Sequence, residues 1–287
     1  MLPLSSDQAP PMKSVLFSLL LLSIGRIASA QSPVGTIFPF DIREHTILDT
    51  ASYRIDYRTT CILDPKQGVQ VTNDMYLLVG RTMSKFGHAS VLDAQGEITE
   101  IHDRGVGRGI DARGLAGIEV YKYHSGAKRY SELTVRLFIY SSLYTFVYLD
   151  ELHPQSWMLA NEYKEILGYP CQKATTSFRG RDYIAWVATD IPVSDGPWLL
   201  GGVPGLILEA YDTKHEYHFE ATGISRPAQV LPIVKYKDRY KSIERSKVRE
   251  LCKRMHADIV RALRASFPRA GLEFRQTTYY YNPIELE

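Results

Sequence analysis

Apolar and polar positions alternate with a period of two along much of this chain. From Tyr53 to Leu63 one face carries Tyr53, Ile55, Tyr57, Thr59, Cys61 and Leu63, and the other carries Arg54, Asp56, Arg58 and Thr60. That alternation marks a half-buried strand. Met75 to Val79, Ile118 to Tyr123 and Glu132 to Leu149 continue it with β-branched and aromatic residues. Residues 157–224 read as strand, turn, strand, proline-rich connection, turn and strand. Tyr169-Pro170 holds the chain extended before a strand at Ala174 to Phe178, and Gly180 allows the positive φ of a tight hairpin. Pro204-Gly205 suits the two central positions of a type II turn leading into Leu206 to Tyr211. The period changes once. Val248, Leu251, Cys252, Met255, Ile259, Ala262 and Leu263 recur at spacings of three and four, which predicts a helix from about Ile243 to Ala265.

The first thirty residues have a different character. Met12-Lys13 precedes an apolar run from Val15 to Ile24, then Ala28-Ser29-Ala30. The run is shorter than the roughly 20 residues a membrane-spanning helix needs, and the small residues suit a signal peptidase, so residues 1–30 read as a signal peptide. The mature chain then starts at Gln31, and residues 31–287 read as one domain including the helix and a terminal tail over 270–287. No later stretch is long and apolar enough for a transmembrane span. Export places the protein in the periplasm or on the outer-membrane or extracellular face. There disulfides persist, so Cys61, Cys171 and Cys252 allow at most one bridge. Cys61 with Cys171 is the favoured pairing and three buried thiols the alternative. No metal-ligand spacing is present, and no cofactor is expected.

Composition changes little. The 287 residues carry 34 Lys+Arg and 32 Asp+Glu with 45% apolar content, which excludes a disordered or collagen-like chain. Charge is uneven: Lys235 to Arg269 holds twelve Lys/Arg against four Asp/Glu, leaving the rest of the chain acidic. A solvated helix face explains this better than an anionic partner, and nucleic acid is a poor partner for an exported chain. Glycines 105, 107, 109, 114 and 117 suggest a loop, because a dinucleotide site needs a strand before and a helix after.

The segment around Tyr169-Pro170-Cys171, Phe178 to Trp186, and Ile191 to Trp198, closing on Gly202-Val203-Pro204-Gly205-Leu206-Ile207, resembles the GLPGLI family of exported Bacteroidetes proteins. Met75 to Phe86 and the ending Asn282 to Leu286 extend the resemblance, and Val203 replaces the family's leucine. It implies envelope work but no catalytic residue, cofactor or substrate. The strand rhythm is also similar to LolA-like lipoprotein carriers, whose curved antiparallel sheet closes over helices as a hydrophobic cup. The fold expected is therefore mainly β (α+β), a curved antiparallel sheet, half-barrel-like, with a packed amphipathic C-terminal helix.

Several residues are candidates for chemistry. Asp182 and Asp195 could form an acid/base pair with Arg179 and Arg181 gripping an anion; a structural ion-pair cluster fits the same residues. Trp157, Trp186, Trp198, Tyr183 and Tyr211 could line an apolar pocket, Trp198 above all because it lies in a connection. His215 and His218 are three apart on a strand and would face opposite sides, so they do not make a metal site. Tyr279-Tyr280-Tyr281 reads as a terminal edge strand or a docking tail. The functional expectation is a non-enzymatic binding or carrier protein for an apolar or amphiphilic ligand, with lipid or an outer-membrane protein as partner. A hydrolase or isomerase using Asp182, Asp195, Arg179 and Arg181 is the alternative, and a structural accessory of a transporter is another.

Overall fold

A computed structural model describes residues 41–93, 114–115, 117–124, 130–139, 142–151, 155–257 and 280–287. The expected signal peptide at residues 1–30, most of the glycine-rich loop, Tyr279 and the predicted helix beyond residue 257 lie outside the described residues. The fold is mainly β. Twelve strands form one curved sheet in the order β14-β7-β6-β5-β4-β3-β2-β12-β11-β10-β9-β8, and β1 and β13 form a separate two-stranded sheet. The strands are β1 (Asp41–Thr50), β2 (Tyr53–Asp64), β3 (Val69–Val79), β4 (Met83–His88), β5 (Ile118–Tyr123), β6 (Tyr130–Ile139), β7 (Ser142–Glu151), β8 (Met158–Ile166), β9 (Tyr169–Phe178), β10 (Arg181–Ala188), β11 (Leu206–Asp212), β12 (Tyr217–Ser225), β13 (Pro232–Lys237) and β14 (Tyr240–Ser242). Two helices are described: α1 (Ala89–Asp93) and α2 (Arg245–Ala257). Pairing is antiparallel throughout except for β14 on β7.

The strand order explains the curvature. In the sheet, nine strands lie between β7 and β8, yet only six residues connect them along the chain. Ten spacings of about 4.8 Å make about 48 Å in a flat sheet, whereas that connection reaches at most about 25 Å. The sheet therefore curls until its two ends approach. Asp150 on β7 accepts a hydrogen bond from Arg179, in the β9–β10 turn, across that opening.

The sheet's interior is filled. Residues 191–203 run through it, burying Ile191, Trp198, Leu199, Leu200 and Val203 against Ile55, Tyr57, Phe86, Val120 and Phe219. Tyr57 Oη donates to the Ile207 carbonyl at 2.6 Å, tying β2 to β11. From α2, Val248 completes the cluster, and Ile284 of the C-terminal segment does the same. A second, smaller core lies where Tyr76, Leu78, Met83 and Tyr121 pack with Ile233 of β13. As a result β4 is buried at all six positions.

Two expectations about the backbone change. Pro204 is the centre of a three-residue turn closed by Gly205 N–H donating to the Val203 carbonyl at 2.9 Å, not of a four-residue type II turn. Gly205 has φ +146°, and a Cβ there would lie 2.5 Å from the Ala188 carbonyl oxygen, so glycine is required by close approach. Residues 280–287 form an irregular segment instead of a strand, held by side-chain hydrogen bonds described below. By contrast, Arg179 (φ +52°) and Gly180 (φ +76°) make the tight hairpin expected between β9 and β10.

Candidate functional site

The charged residues singled out in the sequence do not converge on one site. Along β10 successive side chains alternate faces, so Arg181 is buried and Asp182 exposed. Asp182 accepts from Ser177 Oγ on the neighbouring strand. Arg181 uses its whole guanidinium as an anchor: Nη1 donates to Asp212 (3.0 Å) and Glu216 (2.7 Å), Nη2 to Asn282 Oδ1 (2.7 Å) and the Pro283 carbonyl (2.6 Å), and Nε to the Ile284 carbonyl (3.0 Å). Its plane also lies 4.7 Å from the Tyr217 ring centre. These bonds, with Tyr217 Oη donating to the Asn282 carbonyl, pin residues 282–284. Trp198 is 1% exposed, packed edge-on to Phe178 at 5.7 Å, and belongs to the core and not to a ligand-facing loop. Cys61, Cys171 and Cys252 are free thiols. The expected Cys61–Cys171 bridge is absent because β2 and β9 are separated in the sheet by β12, β11 and β10. Burial pushes the Cys61 thiol up to about 12, the inert range for a nucleophile.

Asp195 does gather a polar cluster, with partners that sequence proximity did not reveal. Lys122 Nζ donates to Asp195 Oδ1, to the Gly196 carbonyl at 2.7 Å and to the Leu200 carbonyl at 3.4 Å. His124 Nε2 lies 3.2 Å from Asp195 Oδ2 and 3.2 Å from Ser84 Oγ. Burial alone would raise the Asp195 carboxyl, but Lys122 and His124 hold it well below the usual carboxylate range. Serine, histidine and aspartate are thus in contact, but not as a relay: both contacts use Nε2, whereas a relay needs one ring nitrogen for the nucleophile and the other for the acid. With Ser84 fully buried, the cluster fastens the segment at 191–203 to β4 and β5.

A second charge cluster lies on the other face of the same strands. Glu119 takes a hydrogen bond from Arg136 Nη2 at 2.6 Å and lies 3.0 Å from Lys85 Nζ. Arg136 Nε donates to Asp238 at 3.3 Å, and Thr145 Oγ1 donates to the same oxygen at 2.8 Å. Lys85 also donates to the Val234 carbonyl at 2.9 Å, 4.4 Å from the Tyr236 ring centre. Burial opposes the Glu119 charge, yet Arg136 and Lys85 bring its carboxyl down to about 2. Lys85 is shifted down by burial.

Above this cluster opens a cleft of about 580 Å³ lined by Glu44, His45 and Thr46 of β1, Lys235, Tyr236 and Lys237 of β13, and Asp238 and Tyr240. A register shift between Asp41 and His45 interrupts the β1–β13 ladder at the cleft wall, the position where bulges re-aim side chains. Carboxylates, amines and tyrosine rings meet here. Tyr240 Oη donates to the Tyr236 carbonyl at 2.7 Å, and Lys235 Nζ lies 4.9 Å from the Tyr240 ring centre. A second described cleft, of about 230 Å³, is lined by Tyr53, Tyr169, Asp190, Ile191, Ile224, Ser225 and Arg226. Neither cleft was legible beforehand: β1 carries no strict alternation, and β13 is only six residues long.

The helix α2 places Val248 in the core and exposes Lys247, Lys253 and Arg254, the solvated basic face expected. No helix among the described residues is long and apolar enough to cross a membrane.

Comparison with known proteins changes the family reading. Residues 131–245, about two fifths of the chain, match the family described as "N-glycanase peptide, N-terminal domain". No curated protein matches the chain. Two solved structures, "Structure of PNGF-II in P21 space group" and "Structure of PNGF-II in C2 space group", are each 15% identical; the TM-scores are 0.45 and 0.43. Each match covers 71% of this chain and 33% or 32% of the solved one, so this chain spans about a third of their length. The family match corrects the resemblance to the GLPGLI family, since the motif at 202–207 lies within the matched span. It also overturns the expectation of a non-enzymatic carrier, and the filled interior removes the hydrophobic cup on which that expectation rested.

Proposed function

We propose that this chain serves the hydrolysis of N-linked glycans and that the outer cleft holds the sugar. The observation that carries this reading is the match of residues 131–245 to the N-terminal domain of an N-glycanase family. The cleft wall from Lys235 to Tyr240 lies inside that span. Its chemistry suits a polyhydroxylated ligand. Tyrosine rings offer flat apolar surface to a pyranose face, and carboxylates and amines offer acceptors and donors to its hydroxyls. Glu44 is ion-paired with Lys237, and Asp238 with Arg136, so the cleft's part in the reaction is to bind and orient. The hydrolase reading survives in this form, without Asp182, Asp195, Arg179 and Arg181 as a catalytic set.

The test uses the full chain with an N-glycosylated ribonuclease and with the free glycan. Titration calorimetry should detect the glycan, and Tyr240→Ala should weaken it about tenfold, the effect of losing roughly 1.4 kcal/mol. Glycan release seen by mass spectrometry would make this chain hydrolytic in its own right. Binding without release would make it the recognition part of the process. Absence of both overturns the proposal.

A further inference from the structure

The two edges of the twelve-stranded sheet differ. β14 is three residues long, too short to template another strand. β8 is nine residues long, and among the described residues no strand follows it in the sheet order. A long open edge is the usual place for strand addition, because a row of backbone N–H and C=O groups faces outward. Of ten large apolar side chains exposed among the described residues, four sit on β8 and the turn after it: Met158, Leu159, Tyr163 and Leu167, with Met158 71% and Tyr163 63% exposed. Elsewhere such side chains are scattered. This concentration gives the edge apolar surface as well as hydrogen-bonding groups.

The sequence of β8 is complementary to itself. When two copies pair antiparallel about a two-fold axis normal to the sheet, residues facing each other must share a face, so the axis passes through a residue. An axis at Glu162 sets that carboxylate against its own copy, and an axis at Lys164 does the same for two ammonium groups. An axis at Tyr163 sets Glu162 opposite Lys164 twice. Opposite charges directly across a ladder stabilise it and like charges oppose it. Lys164 already lies against Glu209, with its ammonium 4.5 Å from the Trp186 ring centre, and so is held on one face of the strand. Glu162 is more exposed, and its present partner is Lys173. The ladder between β8 and β9 shifts between Leu159 and Tyr163 by two residues, which keeps the side chains on either side of it in phase.

From this we propose that β8 pairs antiparallel with β8 of a second copy of this chain about an axis at Tyr163, continuing the sheet across the interface. The inference is independent of the glycan reading. Analytical ultracentrifugation of the full chain over a concentration series tests it. The protein should sediment as a dimer that dissociates on dilution. Glu162→Lys should raise the dissociation constant at least about tenfold, because it creates two like-charge contacts. The double variant Glu162→Lys, Lys164→Glu should restore it, and Tyr163→Asp should abolish the dimer while circular dichroism stays that of the folded chain. A chain that is monomeric at about 100 μM overturns the proposal. So does a dimer indifferent to these charge changes, or a monomer that instead captures an extended peptide along β8.

Discussion

On each face of the same strands a buried carboxylate meets two nitrogen-bearing side chains, and the two clusters have different surroundings. On the inner face Asp195 lies between Lys122 and His124, enclosed by the segment at 191–203. On the outer face Glu119 lies between Lys85 and Arg136, and the next carboxylate along, Asp238, forms part of an open cleft. In both, the neighbouring side chains hold the carboxyl below its ordinary range against the effect of burial. Charge clustering alone therefore does not mark a functional site; what matters is whether a solvent-filled space touches it. The inner cluster serves stability, and the outer one underlies the cleft proposed above to hold the glycan.

The sharpest way to break this contrast is Asp195→Ala. It strands Lys122 in the interior without its carboxylate, and removing one member of a buried pair costs about 3–5 kcal/mol. Urea unfolding should show this as a large drop in midpoint. Gly205→Ala follows. Its Cβ would meet the Ala188 carbonyl at a φ that side chains rarely adopt, and a loss of about 2 kcal/mol or more is expected from the same measurement.

Acid tests both clusters together. The folded-state pKa values of Asp195 and Glu119 lie below the ordinary carboxylate values near 4. Their stabilisation is fully present above those ordinary values and is lost as pH falls through the folded ones. Unfolding free energy should therefore decline from about pH 4.5 toward pH 2, the folded value of Glu119. Glu119→Gln should flatten the decline without abolishing it, because Asp195 remains. The smallest effect belongs to the cleft rim. Glu44 and Lys237 form an exposed pair, so Glu44→Gln should change stability by less than about 0.5 kcal/mol. Calorimetry with the free glycan should still register the substitution, which separates the rim from the inner lock.

How legible this was in the sequence depended on whether a strand had one wet face. β2, β10 and β12 were visible, because alternation survives wherever one side is covered and the other exposed; β5, buried on both faces, was read from its β-branched and aromatic residues, and β11 from the apolar run after Pro204-Gly205. β4 was only partly visible. It reads Met83-Ser84-Lys85-Phe86-Gly87-His88, and with both faces covered its lysine is as buried as its phenylalanine. Asp195 was singled out with Asp182, Arg179 and Arg181 as neighbours, but its partners, Lys122 and His124, lie more than 70 residues earlier in the chain and only the fold brings them to it. Trp198 misled for a related reason: a Gly/Pro-rich connection usually runs over the surface, and here it fills the sheet.

The join between β2 and β12 sets the order in which this protein can assemble. β2 to β7 is a run of consecutive antiparallel strands whose pairings reach no further than from Met83 to Tyr123, and β8 to β12 is another whose pairings reach no further than from Tyr183 to Asp212. The two runs meet where Tyr217 to Ser225 pairs with residues near 54–61, more than 150 positions away. Contacts so distant are slow to find, so each run has time to form before they close. Synthesis from the N-terminus reinforces that sequence of events, since the first run is complete before β12 exists. The join is accordingly where the molecule can be cut conceptually in two, a pair of half-sheets whose merger creates the finished interior.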